Sequence, residues 1–156
     1  MRRIGIDPGL SGAIAVLTDD AFCVFDMPTM TVDRNGKAKR QVSANELAEL
    51  LYTCSGKDCH VYVERVSAMA GQGVTSVFSF GRSFGMIEGI LAALKMPVTF
   101  VAPATWVKGV GRGPGKDASR ARAMELFPEY QHMFKRVKDD GRADAALIAH
   151  WGRKHG

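Results

Sequence analysis

Four acidic residues stand where carboxylates are costly unless a positive charge joins them. Asp7 follows the apolar run Ile4-Gly5-Ile6, Glu64 follows the run 61–63, and Asp144 lies among alanines, with Asp140 one helical turn earlier. Burial and mutual repulsion raise the pKa of such groups and disfavour their charged forms. We therefore expect a cation to bind between them.

Hard divalent cations prefer oxygen ligands and suit such a set of carboxylates. Two Mg²⁺ ions about 3.5 to 4 Å apart can activate a water for attack on a phosphodiester and stabilise the leaving oxygen. A lysine or arginine could instead neutralise the acids, and a lone Asp after a strand is more often a turn residue. The order and spacing of the whole set favour the metal.

Basic residues concentrate in two segments. The chain has 156 residues, a net charge of +5 and a pI near 9.3. The segment 106–122 carries five basic residues against Asp117, and "DRNGKAKR" at 33–40 surrounds an Asn35-Gly36 hairpin-turn signal. Either segment could be plain solvated surface, but together they favour contact with a phosphate backbone.

Short β-prone runs predict the elements that position the first acid. We expect strands at 4–6, 12–17 and 21–25 in an antiparallel meander. The basic turn at 35–36 follows, and a capping box at Ser43 and Glu46 predicts a helix to about Tyr52.

The rest of the chain alternates strands and helices. "HVYVERV" at 60–66 predicts a buried strand, and helical spacing predicts a long, well-buried helix at 74–94. Gly81, Gly85 and Gly89 form one line on that helix, for packing against the protein's own sheet or another subunit. A strand between Pro97 and Pro103 and helices at 116–127 and 143–151 complete an α/β fold, a mixed sheet with helices on both faces in one domain, 1–156.

Composition limits the class of protein. A hydrophobic fraction of 46% and a charged fraction of 24% are typical of a globular protein, and no run is apolar enough for a signal or a membrane span. Three cysteines without a C-x-x-C suggest reduced thiols rather than disulfides or a zinc site. We expect no membrane, no small-molecule cofactor and a cytoplasmic location.

Four segments resemble the RuvC family of Holliday junction resolvases, particularly its shorter phage-type members. They are "IGIDPGLSGAIAVL", "VYVERV", "WVKGVGRGPGKDASRARAMELF" and "DDGRADAALIAHW", in the family's order over nearly the whole chain. The resemblance implies an RNase H-like fold with a five-stranded sheet. It also implies a homodimer that makes paired symmetric cuts in four-way DNA junctions with Mg²⁺ or Mn²⁺, two ions per site, in a bacterial cell as a host or phage product.

The resemblance assigns roles residue by residue. Asp7, Glu64 and Asp144 match three acidic metal ligands, whereas the family's fourth acid falls on Gly141. We predict that Asp140 replaces it, with Asp139 as the substitute. Lys116 matches a lysine near the scissile phosphate and could stabilise its charge. The residues predicted to contact DNA, with Met69 as a junction wedge, are Arg34, Lys37, Lys39, Arg40, Met69, Lys108, Arg112, Lys116 and Arg120.

Three other functions remain open at this stage. A nuclease of the same superfamily acting on RNA or branched DNA, as YqgF-like proteins do, keeps the fold and changes the substrate. A junction-binding protein without catalysis would need a degenerate site, yet the principal acids are present. An ATPase of the actin and hexokinase type is disfavoured, because it needs two such domains.

Overall fold

The computed structural model describes residues 1–156. Its elements in chain order are β1 (Arg2–Asp7), β2 (Ala13–Leu17), β3 (Phe22–Asp26), β4 (Thr29–Arg34), β5 (Lys37–Val42), α1 (Ala44–Cys54), β6 (Cys59–Glu64), α2 (Val74–Ala93), β7 (Val98–Val101), α3 (Pro103–Gly109), α4 (Ala118–Leu126) and α5 (Asp140–His155). Two short 3-10 segments, Pro128–Met133 and Val137–Asp139, connect α4 to α5.

A mixed five-stranded sheet in the order β3-β2-β1-β6-β7 forms the centre of the fold. The predicted meander is confirmed, because β1, β2 and β3 pair antiparallel. Strands β6 and β7 continue the sheet in parallel with β1. The carboxyl ends of β1 and β6 therefore lie side by side at one edge of the sheet.

Helices cover both faces of this sheet, as the sequence predicts. On one face Ile4 and Ile6 pack with Leu47 of α1 and Ile87 of α2 in one buried cluster. On the other face, α3, α4 and α5 bury a second cluster that includes Trp106 and Leu147. The alternation of side chains along β1 explains this division, since Gly5 faces the opposite side from its two isoleucine neighbours.

Glycines allow α5 to lie directly on the sheet. A β-carbon at Gly5 would lie 2.1 Å from the carbonyl oxygen of Ala145. One at Gly141 would lie 2.1 Å from the carbonyl oxygen of Ser11. No side chain fits at Gly141, so the position where the resemblance leads one to expect an acid is filled by backbone packing.

The basic hairpin is confirmed and is longer than its turn signal. Strands β4 and β5 form a separate two-stranded sheet. Asn35 and Gly36 have φ angles of 55° and 74°, in the left-handed region that Asn and Gly tolerate best. Most of its residues, including all four predicted DNA contacts, are exposed.

The prediction that helix α2 is well buried is wrong for its first half. Val74 is 86% exposed and Phe78 is 67% exposed, whereas full burial begins at Ser83 and continues with Ile87 and Leu91. The helical spacing of apolar residues predicted the helix correctly, but it could not show how far the sheet extends beneath the helix. The line Gly81, Gly85 and Gly89 faces open space, because a β-carbon at each would meet nothing within 4 Å.

Smaller differences concern helix ends. Helix α3 was not predicted, and Pro103, expected only to end a strand, occupies its first turn. Helix α5 begins at Asp140, three residues earlier than predicted. Ser43 precedes α1 as expected, but its side chain makes no capping hydrogen bond. No helix combines the length and apolar character that a bilayer crossing requires.

Candidate active site

Three of the predicted acids come together where the parallel strands β1 and β6 have their carboxyl ends. Asp7 and Glu64 end adjacent parallel strands whose register pairs Ile6 with Val63. Asp144 lies on α5 next to Ala145, which contacts β1 at Gly5. Burial, then the charges of Asp144 and Glu64, raise the pKa of Asp7 to about 7. The three groups thus share one electrostatic site.

Burial also raises the pKa values of the other two acids above their ordinary range. At Glu64 a hydrogen bond from Trp106 opposes burial, while the charge of Asp144 adds to it. At Asp144 a hydrogen bond from Ser119 and the charge of Arg112 oppose burial. The site therefore disfavours its own ionised state, as expected of carboxylates that need a cation.

The donor set fits a hard divalent cation. None of the ion pairs in the structure involves Asp7, Glu64 or Asp144. The Oδ1 atom of Asp144 is buried and has no hydrogen-bond partner. The acids do not form a closed cluster of three or more metal-ligating side chains.

Asp140 and Asp139 lie in different surroundings. Asp140 stands one turn before Asp144, and its charge raises the pKa of Asp144. It accepts a hydrogen bond from Arg120 Nε at 3.0 Å and keeps 46% of its side chain exposed. Asp139 is 1% exposed and accepts hydrogen bonds from the backbone and guanidinium of Arg136. This placement does not fit Asp139 as a metal ligand.

Asp139 is also electrostatically satisfied. Burial raises its pKa, but hydrogen bonds from Arg136 outweigh burial and hold the pKa below its ordinary value. Arg142 Nη1 adds a second positive charge 3.8 Å from Asp139 Oδ1. Its function is therefore structural, at the start of α5.

Two arginines predicted to contact DNA are turned inward instead. Arg120 is 8% exposed and donates to Asp140, to Asp117 and, at 3.1 Å, to the carbonyl oxygen of Lys135. Arg112 donates to Ser119 Oγ at 2.9 Å, and its Nε is buried without a partner. Neither placement fits a phosphate contact, because the guanidinium donors face other protein groups.

Sequence reasoning missed two residues that support the acids. Trp106 Nε1 donates a hydrogen bond to Glu64 Oε2 at 2.6 Å, and the indole is 2% exposed. Ser119 opposes the rise that burial causes in the pKa of Asp144. A buried indole needs an acceptor for its N–H, so Trp106 was a signal that such a partner exists. The sequence could not show which acid it was.

A basic groove begins beside Asp7. It has a volume of about 560 Å³ and runs from Pro8 and Ser11 to the hairpin residues Arg34, Lys39 and Arg40 and the first turns of α2. Arg40 donates to the carbonyl oxygen of Leu10 at 3.2 Å, which ties the hairpin to the loop after β1. The hairpin is thus held against the loop that follows Asp7.

The other predicted DNA contacts lie on the surface. Lys37, Lys108 and Lys116 are exposed, the last directly after Gly115, whose φ is 105°. Met69 is 72% exposed in the loop between β6 and α2. These placements are compatible with contact to a large ligand.

Comparisons with known proteins agree with this architecture. No family model matches the chain. It is 29% identical over 152 residues to the Holliday junction resolvase MOC1, chloroplastic, of Chlamydomonas reinhardtii, covering 83% of this chain and 17% of that protein. The chain thus spans about a sixth of the length of this curated relative.

Solved structures of a bacterial protein share the fold. Thermus thermophilus RuvC in complex with a Holliday junction substrate matches with a TM-score of 0.64 and 14% identity, over 100% of this chain and 96% of that one. A second T. thermophilus RuvC structure matches with a TM-score of 0.57 and 14% identity, over 99% and 96%. The predicted RNase H-like fold and the resemblance to RuvC are thereby confirmed.

Proposed function

We propose that this chain is a Holliday junction resolvase, a divalent-metal-dependent endodeoxyribonuclease that makes paired symmetric cuts in four-way DNA junctions. One observation carries the proposal: three half-buried carboxylates that form no ion pair lie where β1 and β6 end and α5 covers the sheet, and a basic groove opens at the loop after Asp7. The names of the relatives supply the substrate class. We extend the proposal to residues 1–156 as one nuclease domain, because both buried clusters share the central sheet.

The acids would hold the metal as a set. Asp7, Glu64 and Asp144 would supply half-buried carboxylates, and Asp140 a more exposed one that Arg120 holds. Bound Mg²⁺ or Mn²⁺, two ions per site, would activate water and stabilise the leaving oxygen of the phosphodiester.

The basic residues would bind and orient the DNA. Arg34, Lys37 and Lys39 share one face of the hairpin, because Arg34 pairs with Lys37 across the turn and alternate residues face alike. Arg40 lies on the other face of β5 and donates to the Leu10 carbonyl, so it would hold the hairpin against the loop after β1. Lys108 and Lys116 would contact phosphates near the cut, Lys116 stabilising charge there, and Met69 would enter the junction as an apolar wedge.

Two symmetric cuts require two active sites, and we propose a homodimer. The exposed side of α2 supports this, because Val74 and Phe78 continue at helical spacing into the glycine line 81, 85 and 89. The cytoplasmic location and the bacterial or phage origin stay predictions.

A cleavage assay tests the proposal directly. A labelled synthetic four-way junction, a linear duplex, a flap and an RNA hairpin would be incubated with wild-type protein and Asp7→Asn, with Mg²⁺ or with EDTA. Paired symmetric nicks in the junction alone, lost in Asp7→Asn while binding persists, are expected. Equal cutting of flap or RNA would indicate a broader nuclease, and binding without cutting a non-catalytic junction-binding protein.

A further inference from the structure

A single buried tryptophan holds one of the proposed metal ligands from behind. Trp106, in α3, is 2% exposed and belongs to the buried cluster beneath α5. Its Nε1–H donates to Glu64 Oε2 at 2.6 Å. Indole N–H is a donor only, and the hydrogen bond to a carboxylate is of the strong, charge-assisted kind. The bond therefore favours the ionised form of Glu64.

The same segment of chain also reaches Asp144. The guanidinium of Arg112 lies 5.9 Å from the centre of the Trp106 ring and donates to Ser119 Oγ at 2.9 Å. The positive charge of Arg112 also acts on both Glu64 and Asp144. The segment 106–119 thus donates a hydrogen bond to Glu64 of β6 and places a positive charge near Asp144 of α5. That segment also carries Lys116.

We propose that Trp106 is a positioning residue for metal binding, which fixes Glu64 with one oxygen held by the indole and the other left for the cation. This inference rests on the proposed function, since it assigns Glu64 to a metal. Partners that hydrogen-bond to ligands orient them, and their loss costs about 10- to 100-fold in metal affinity. Trp106 fills this role at Glu64.

The decisive variant is Trp106→Phe, which keeps an aromatic ring and removes the N–H. Mn²⁺ affinity of the full chain would be measured by calorimetry without DNA, between pH 6 and 9. We expect about 10-fold weaker binding at each pH, because Glu64 loses the donor that fixes one of its oxygens. Trp151→Phe is the matched control, since the indole of Trp151 donates to no carboxylate in the structure.

A double-mutant cycle separates positioning from general damage to the core. In a Glu64→Gln background, Trp106→Phe should change Mn²⁺ affinity little, because the ligand it supports is already lost. An undiminished effect in that background would overturn the proposal. Equal Mn²⁺ affinity in Trp106→Phe and the wild type would also overturn it.

A measurement on the wild-type protein removes dependence on the folding of the variant. The chain has two tryptophans, so an ¹H–¹⁵N spectrum shows two indole signals, which Trp151→Phe assigns. The Trp106 signal should shift on addition of Mg²⁺, because its acceptor Glu64 then binds the cation, while the Trp151 signal stays fixed. If the chemical shift of the Trp106 signal does not change at Mg²⁺ concentrations where calorimetry detects binding, the proposal is contradicted.

Junction cleavage then distinguishes the two proposals. If the wild type cuts junctions, Trp106→Phe should need about 10-fold more Mg²⁺ for half-maximal activity and reach a similar maximal rate. If the wild type cuts no junction, the proposed function fails, while the Mn²⁺ affinities and indole signals still decide the role of Trp106.

Discussion

Gly5 of β1 lies against the carbonyl group of Ala145 so closely that a β-carbon at position 5 would be 2.1 Å from the oxygen. The same β-carbon would be 2.5 Å from the backbone nitrogen of Ala149. This contact sets the depth at which α5 lies on the sheet, two residues before Asp7 and one residue after Asp144. The position of Asp144 relative to Asp7 therefore depends on the absence of a side chain at Gly5.

Gly5→Ala should separate the two acids. The new methyl group meets backbone, which cannot rotate away, so α5 must move, and overpacking of this kind costs about 1 to 3 kcal/mol of folding stability. Urea denaturation should show that loss, and Mn²⁺ affinity should fall with it. Gly56→Ala is the control, because its nearest neighbour is a flexible arginine atom at 3.7 Å. Unchanged stability in Gly5→Ala would contradict the packing argument.

Asp7→Asn should make the metal-free protein more stable at neutral pH. Burial raises the pKa of Asp7 to about 7 in the folded protein, from an ordinary value of 3.8. Its folded state therefore binds the proton more tightly than its unfolded state, and the benefit present below pH 3.8 is lost as the pH rises to 7. At about 1.4 kcal/mol per pKa unit, the upper limit of the cost is roughly 4 kcal/mol.

The pH dependence of unfolding tests this directly. In EDTA, Asp7→Asn should unfold at higher urea than the wild type at pH 8, with a difference that disappears near pH 4. Mg²⁺ should stabilise the wild type and have little effect on the variant. Asp20→Asn, at an exposed position, is the control and should match the wild type at each pH. A destabilised Asp7→Asn at pH 8 would contradict the proposed cost.

The sequence was sufficient for those parts of the fold and site that depend on local pattern. The runs that end at Asp7 and Glu64 identified two neighbouring strands, and the turn at Asn35-Gly36 identified the hairpin. Asp144 followed from its place in a helix. These inferences needed only strand alternation, turn chemistry and helical spacing.

Other features depend on three-dimensional neighbours that no local pattern encodes. A basic residue in a charged segment can face solvent or a carboxylate, and Arg120 faces Asp140. An apolar helical stripe can be covered by a sheet or exposed to solvent. The first half of α2 is exposed, and its second half is covered. The partner of Trp106 is 42 residues away in the chain. Long-range packing alone determines each outcome.

The salt dependence of junction binding should distinguish hairpin lysines from Arg120. Each phosphate contact contributes about 0.9 to the slope of log K against log salt. Lys37→Gln with Lys39→Gln should therefore reduce the slope by about 2, because both lysines are exposed on one face of the hairpin. Arg120→Gln should leave the slope unchanged and weaken metal binding instead. If Arg120→Gln also reduces the slope, Arg120 contacts DNA as the sequence predicts.

Phe78 should be a main contact of the proposed dimer. It is 67% exposed on α2, between the 86% exposed Val74 and the glycine line 81, 85 and 89. Glycines in a helix cost about 1 kcal/mol each relative to alanine, which a closely packed partner helix would offset. An exposed aromatic residue beside such a line is suited to that packing.

Phe78→Asp should therefore weaken the dimer without unfolding the chain. Loss of a central aromatic contact costs about 2 kcal/mol or more, which is about 30-fold in dimer Kd. Sedimentation should show a dimer for the wild type and a monomer for Phe78→Asp, with unchanged circular dichroism. The monomer should keep its Mn²⁺ affinity, because the acids lie at the sheet edge, but should lose paired cutting. Glu88→Gln, also exposed on α2, is the control, and a wild type that sediments as a monomer at all concentrations tested would refute the dimer.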